Sequence, residues 1–148
     1  MRDDQGPEQS DMDRALFRLV AEALSTVPDE AATIRQHWDE GGGMYSVEVR
    51  PRSASAADLD MGFDGDDLLN VNVGNIWFEV FPVRSVDDLT YAKEIAEAVF
   101  AGRVEESGPA SDAYGRLLLE DGPVTVGRVH LPWPWKARPL KRRYTPYT

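Results

Sequence analysis

The segment from Leu68 to Val83 constrains the fold more than any other stretch of the chain. It reads LLNVNVGNIWFEVFPV. Apolar residues alternate on both sides of Gly74-Asn75, and glycine there supplies the positive φ that a two-residue hairpin turn needs. Folding about that turn sets Val73 opposite Ile76, Val71 opposite Phe78 and Leu69 opposite Val80. All six are apolar and share one face, while the other face pairs Asn72 with Trp77 and Asn70 with Glu79. A slip of one residue would carry the apolar set into water, so the register is specified. The rest of the chain has to supply an apolar layer for this hairpin.

Two amphipathic stretches qualify. Leu16, Leu19, Val20, Ala23, Leu24 and Val27 recur at spacings of three and four, predicting a helix over 11–27. Ser10 or Asp11 can cap it, Asp11 and Asp13 suit its positive end, and Pro28-Asp29 stops it. Ser85 with Asp88 forms a short capping box. Leu89, Ala92, Ile95, Ala96 and Val99 then make a stripe over a helix at 86–101, with Gly102 available to close it.

Further strands are expected on either side. Tyr45 to Arg50 alternates cleanly. In 31–38, Ile34 and Trp38 are four apart as on a helix, yet Ile34, Gln36 and Trp38 also alternate as on a strand. With Gly41-Gly42-Gly43 between the two segments, a strand pair is the more economical reading. Residues 51–67 read as an acidic loop and 105–113 as a polar one. Leu117-Leu118-Leu119 and Val124-Thr125-Val126 flank Asp121-Gly122, a turn that would place Leu119 opposite Val124 and Leu117 opposite Val126, and the second strand is expected to run on through Val129.

The resulting order is α-β-β-β-β-α-β-β. It predicts an α+β domain: an antiparallel sheet of about five or six strands, built from hairpins, with two helices packed on one face. Residues 1–9, polar with Gly6 and Pro7, are expected to be disordered. Residues 10–130 form the single domain and 131–148 a basic, aromatic, proline-rich tail. At 148 residues the chain suits one core. The absence of cysteine excludes disulfides and thiolate metal sites. No window approaches the ~20 apolar residues of a membrane span, and the acidic start is unlike a secretory signal, so a cytoplasmic location is expected. Thirteen arginines against three lysines point to a genome rich in G and C.

Charge is unevenly placed. The last eighteen residues hold Lys136, Arg138, Lys141, Arg142 and Arg143 and no acid, so residues 1–130 carry all 26 acidic groups against 11 basic ones. Such a body repels phosphate and argues against nucleic acid as a partner. It suits a basic protein partner. The tail also contains Trp133, Trp135, Tyr144, Tyr147 and four prolines. Three destinations are open to it: its own sheet, a partner protein or neighbouring copy, or nucleic acid or an anionic membrane. The proximity of Trp133 and Trp135 to the last strand favours the first. In that reading the tail is ordered to about Arg138 and then frays.

No catalytic, cofactor or metal motif emerges. His37 and His130 lie on different elements, and no serine or threonine sits in a nucleophile turn. Asp58, Asp60, Asp64, Asp66 and Asp67 lack the calcium-loop spacing and its distal glutamate, so they read as a solvated acidic loop able to meet an arginine-rich partner. Gly41-Gly42-Gly43 lacks the lysine of a phosphate loop and reads as a turn. The candidate partner-contact residues are therefore Asp58, Asp60, Asp64, Asp66, Asp67, Trp77, Trp133, Trp135, Arg138, Arg142 and Arg143.

In size, acidity and α+β layout the chain resembles the small immunity proteins that accompany bacterial polymorphic toxins. The resemblance implies binding and blocking of a cognate toxin, often a basic nuclease, through an acidic surface. The chain is also similar to secretion-chaperone-like folds, which implies binding of a client peptide. Both are non-enzymatic interaction proteins, expected here as a monomer or weak homodimer with neither nucleic acid nor membrane as a partner. The rival class, an enzyme, would need an unrecognised carboxylate site.

Overall fold

Two helices and nine strands account for the described residues, which in this computed structural model are 10–39, 44–64, 67–108, 114–127 and 141–148. The expectations for residues 1–9, Gly41 to Gly43, Asp66 and the tail through Arg138 lie outside them.

Helix α1 (Asp11–Leu24) starts where the capping chemistry places it. The Asp13 amide donates to Ser10 Oγ at 3.0 Å and the Ser10 amide returns a bond to Asp13 Oδ2 at 3.3 Å. Its stripe buries Ala15, Leu16, Val20 and Ala23. A single 3-10 turn (Asp29–Ala31) leads into β1 (Ala32–Asp39), which pairs with β2 (Met44–Pro51). The ambiguous 31–38 segment is thus a strand, because Ile34, Gln36 and Trp38 each gain a facing partner in Val49, Val47 and Tyr45.

Strand β3 (Leu59–Asp64) replaces the loop expected over 51–67. Leu59, Met61 and Phe63 are buried, and the intervening Asp60, Gly62 and Asp64 occupy the opposite face. Strands β4 (Leu68–Val73) and β5 (Ile76–Val80) form the hairpin in the expected register: Val73 opposite Ile76, Val71 opposite Phe78, Leu69 opposite Val80. These five strands make one antiparallel meander, β1-β2-β3-β4-β5.

The Ser85 box closes a 3-10 turn (Asp87–Leu89) ahead of helix α2 (Thr90–Phe100). The Arg84 and Ser85 amides donate to Asp88 Oδ2 at 2.8 and 3.1 Å. The bond from Arg84 above all holds that carboxyl below the usual aspartate range.

A second antiparallel sheet follows, ordered β8-β7-β6-β9. It contains β6 (Val104–Ser107), β7 (Tyr114–Leu119), β8 (Gly122–Gly127) and β9 (Lys141–Arg143). Two of these strands replace segments read as polar loop and tail. In the β7–β8 hairpin the turn is Glu120-Asp121, and Leu117 faces Val124 with Leu119 facing Gly122. That is a two-residue displacement from the expected register. It preserves which face is buried, so Leu117 stays in the core.

One core serves both sheets. Helix α1 packs on α2 and reaches β2, and α2 reaches β7. Leu16, Val49, Leu59, Val71, Ile95, Val99, Val104 and Leu117 belong to the same buried cluster. The joint between the sheets is tight: a Cβ added at Gly115 on β7 would meet the Glu105 carbonyl oxygen and sit 2.6 Å from Ile76 Cδ1.

The end of the chain, expected to fray, is built in. Strand β9 pairs with β6, and the Tyr144 amide donates to the Val104 carbonyl at 3.1 Å. The Thr145 amide bonds Ser55 O at 3.0 Å and the Tyr147 amide bonds Phe100 O at 2.9 Å. Tyr147 is buried, its ring centroid lies 4.9 Å from that of Phe100, and its hydroxyl donates to Ala57 O at 2.5 Å. Tyrosines dock this part of the tail on its own domain. Burying both ring and hydroxyl with a partner explains why it does not fray.

Candidate functional site

Both helices lie on one side of the five-stranded sheet, so its other face is uncovered by them. Strand alternation puts the polar residues of the meander there, except Gln36, which faces Val47 on the core side. The central row runs Arg35–Glu48–Asp60–Asn72–Trp77 across all five strands. Beside it runs His37–Ser46–Gly62–Asn70–Glu79.

Arg50 organises the carboxylates of this face. Its Nη1 and Nη2 reach the two Asp60 oxygens at 3.0 and 3.4 Å, a forked contact. Its Nε lies 3.8 Å from Asp58 and its Nη2 3.9 Å from Glu48, and Arg35 Nε donates to Glu48 at 2.5 Å. Burial pulls the Arg50 pKa down, but the hydrogen bond and charge of Asp60, with the charges of Asp58 and Glu48, outweigh it and raise the pKa. Asp60 is raised too: burial dominates, and Arg50 offsets it only in part. Glu48, Asp58, Asp60, Asp64 and Glu79 outnumber Arg35 and Arg50, leaving the face acidic.

Trp77 ends the central row with 42% of its surface exposed. It also borders a groove of about 650 Å³ between β5 and β8, lined by Phe81, Tyr91 and Val124 among others. Phe81 is 62% exposed. A large aromatic at the rim of an acidic face is the composition of an interface anchor.

Of the sequence-nominated residues, Asp58, Asp60, Asp64 and Trp77 therefore share one face. Asp67 lies apart, 3.4 Å from Arg84. Arg142 and Arg143 are on β9 in the other sheet, both exposed. Asp66, Trp133, Trp135 and Arg138 lie outside the described residues. Sequence reasoning missed Arg35, Glu48, Arg50 and Asn72. The alternation of 44–50 already put Glu48 and Arg50 on one face, but without β3 there was nothing to bring Asp58 and Asp60 to them.

Among the described residues, no group of three or more His, Asp or Glu side chains is arranged to hold a metal ion, and no helix is long and apolar enough to cross a membrane. Comparison with protein-family models, with curated proteins and with solved structures finds no match to the chain.

Proposed function

We propose that this chain is a non-enzymatic interaction domain that binds a basic protein through the open face of its five-stranded sheet, acting as an immunity protein toward a toxin in the cytoplasm. The observation that carries this reading is the Arg35–Glu48–Asp60–Asn72–Trp77 row: surplus carboxylates beside an exposed tryptophan, on a rigid sheet. Arginines and lysines of a partner would compete with Arg50 for Asp58 and Asp60, and its apolar surface would cover Trp77. Charge complementarity of this kind speeds encounter and weakens with salt, while the tryptophan supplies affinity.

The groove beside Trp77 favours a second reading, a chaperone-like protein that takes an extended client segment. Strands β5 and β8 each pair on one side only among the described residues, so their backbone groups are available for strand addition, with Phe81 and Tyr91 as side-chain contacts.

The test is protection of cells expressing a toxic domain encoded beside this gene. Wild type should restore growth, and the pair Asp60→Lys with Trp77→Ala should abolish protection without unfolding the protein. Full protection by that double variant would overturn the immunity reading. Dependence on Phe81 instead would favour the client groove.

A further inference from the structure

The four-stranded sheet carries the opposite electrostatic character. Across its outer face Arg143 on β9, Glu105 on β6, Arg116 on β7 and Thr125 on β8 form one cross-strand row. The next row contains Ser107 facing Tyr114. With Arg142, these residues line a cavity of about 430 Å³, within the range of roughly 300–1,000 Å³ typical of small-ligand sites.

Its charges are incompletely matched. Glu105 lies 3.5 Å from Arg116. Arg142 belongs to the alternate row, opposite Glu106, and is engaged by Tyr144, whose ring centroid lies 5.7 Å away. The Arg143 guanidinium makes no hydrogen bond or ion pair among the described residues, and neither do the hydroxyls of Ser107, Tyr114 and Thr125. The other carboxylate, Glu106, is 5% exposed and already accepts from Asn75 and Tyr144. The Arg116 and Arg143 guanidinium groups thus flank one available carboxylate in a chain whose net charge is −10.

We propose that this cavity binds a small phosphate-bearing solute. Guanidinium forks match phosphate oxygens two at a time, Arg116 and Arg143 exceed Glu105 by one positive charge, and the Ser107 and Thr125 hydroxyls donate to the remaining oxygens. The surrounding acidic protein makes selection strict. An anion gains here only if it reaches the guanidinium groups directly, since diffuse attraction from the rest of the molecule has the wrong sign.

The experiment is calorimetric and NMR titration of the full chain with inorganic phosphate and with glycerol 3-phosphate, against sodium chloride at matched ionic strength. Saturable binding is expected, with the amide signals of Ser107 and Thr125 moving. Affinity should fall at least tenfold in Arg143→Ala and in Arg116→Ala. Arg143→Lys keeps the charge and loses the fork, so a severalfold loss is expected there in a protein that folds normally. Equal affinity for the two probes would assign the site to the anion itself, and tighter binding of the ester would assign part of it to the carrier group; either upholds the proposal. A response that chloride reproduces, or affinity unchanged in both alanine variants, would overturn it.

Discussion

The Tyr144 hydroxyl donates a 2.8 Å hydrogen bond to Glu106, and through it the end of the chain is tied to a buried carboxylate. Glu106 Oε1 also accepts from the Asn75 amide at 3.0 Å, and Oε2 from Asn75 Nδ2 at 3.2 Å. One carboxylate on the second sheet thereby holds the hairpin turn of the first sheet and the tyrosine after β9. Buried charge is tolerated when it is fully hydrogen-bonded, and its loss is costly because the donors around it are left without a partner.

Tyr144→Phe should therefore lower stability by about 1.5–3 kcal/mol, the range for a hydrogen bond to a charged group. Glu106→Gln should be comparably harmful: its amide nitrogen would have to face donors, either Asn75 Nδ2 or the pair of the Asn75 amide and Tyr144 hydroxyl. Urea denaturation of the two variants measures both. Wild-type midpoints would show that the network adds nothing.

Gly74 is constrained twice. Its φ is +58°, and a Cβ there would collide with the Tyr144 hydroxyl. Gly74→Ala should lose about 1–2 kcal/mol for the left-handed conformation alone and more for the displaced tyrosine. Gly74→Asn separates the two effects, since asparagine tolerates that conformation but still brings a Cβ. It should remain clearly destabilising, and combining it with Tyr144→Phe should cost less than the sum of the single changes, because both injure one contact.

The same contacts show where the sequence was legible. The β4–β5 hairpin was readable because its pairing is local: the turn residues and both alternating runs lie within sixteen consecutive positions, Leu68 to Val83. Strand β3 alternates as well, Leu59, Met61 and Phe63 against Asp58, Asp60, Gly62 and Asp64, but aspartate and glycine are depleted in strands and common in turns, so the segment reads as a loop. Strands β6 and β9 are four and three residues long and find each other across the intervening chain, Glu105 opposite Arg143. No local period encodes such a pairing. The acidic face was legible only in part for the same reason: Asp60 and Trp77 stood out by type, and Arg50 becomes their neighbour only once β3 lies between β2 and β4.

Alkaline pH should unfold this protein through its tyrosines. Tyr144 is raised by burial first and by the hydrogen bond and charge of Glu106 second. Tyr147 is raised more strongly, by burial and then by the charge of Asp58. Both phenols remain protonated in the folded state at a pH where the unfolded chain loses its protons, above about 10. The folded state then binds more protons than the unfolded one, so stability is fully present below that pH and falls as pH rises beyond it. Phenolate absorbance should lag for these two side chains and then appear together with loss of the circular dichroism signal. Tyr147→Phe should flatten the decline. A decline as steep as in wild type would locate the alkaline sensitivity elsewhere.

Asp60 offers a test of whether the acidic face serves folding or binding. Its pKa is raised because burial outweighs the help of Arg50, so ionised Asp60 is disfavoured by the folded state relative to the unfolded chain. The sign follows directly: this group's contribution to stability is fully present below the ordinary aspartate value and is lost as pH rises through the raised one. Replacing it with a neutral isostere removes that penalty, while Arg50 retains Asp58 and Glu48 nearby. Asp60→Asn should therefore leave stability at neutral pH within about 0.5 kcal/mol of wild type or slightly above it. Asp60→Lys, which opposes Arg50, should be the less stable of the two. If the face binds a basic partner, Asp60→Asn should nonetheless weaken that binding, with a shallower dependence on salt. A carboxylate that is dispensable for folding and needed for binding would mark the face as an interface. A variant that loses several kcal/mol of stability while binding normally would make Asp60 part of the scaffold instead.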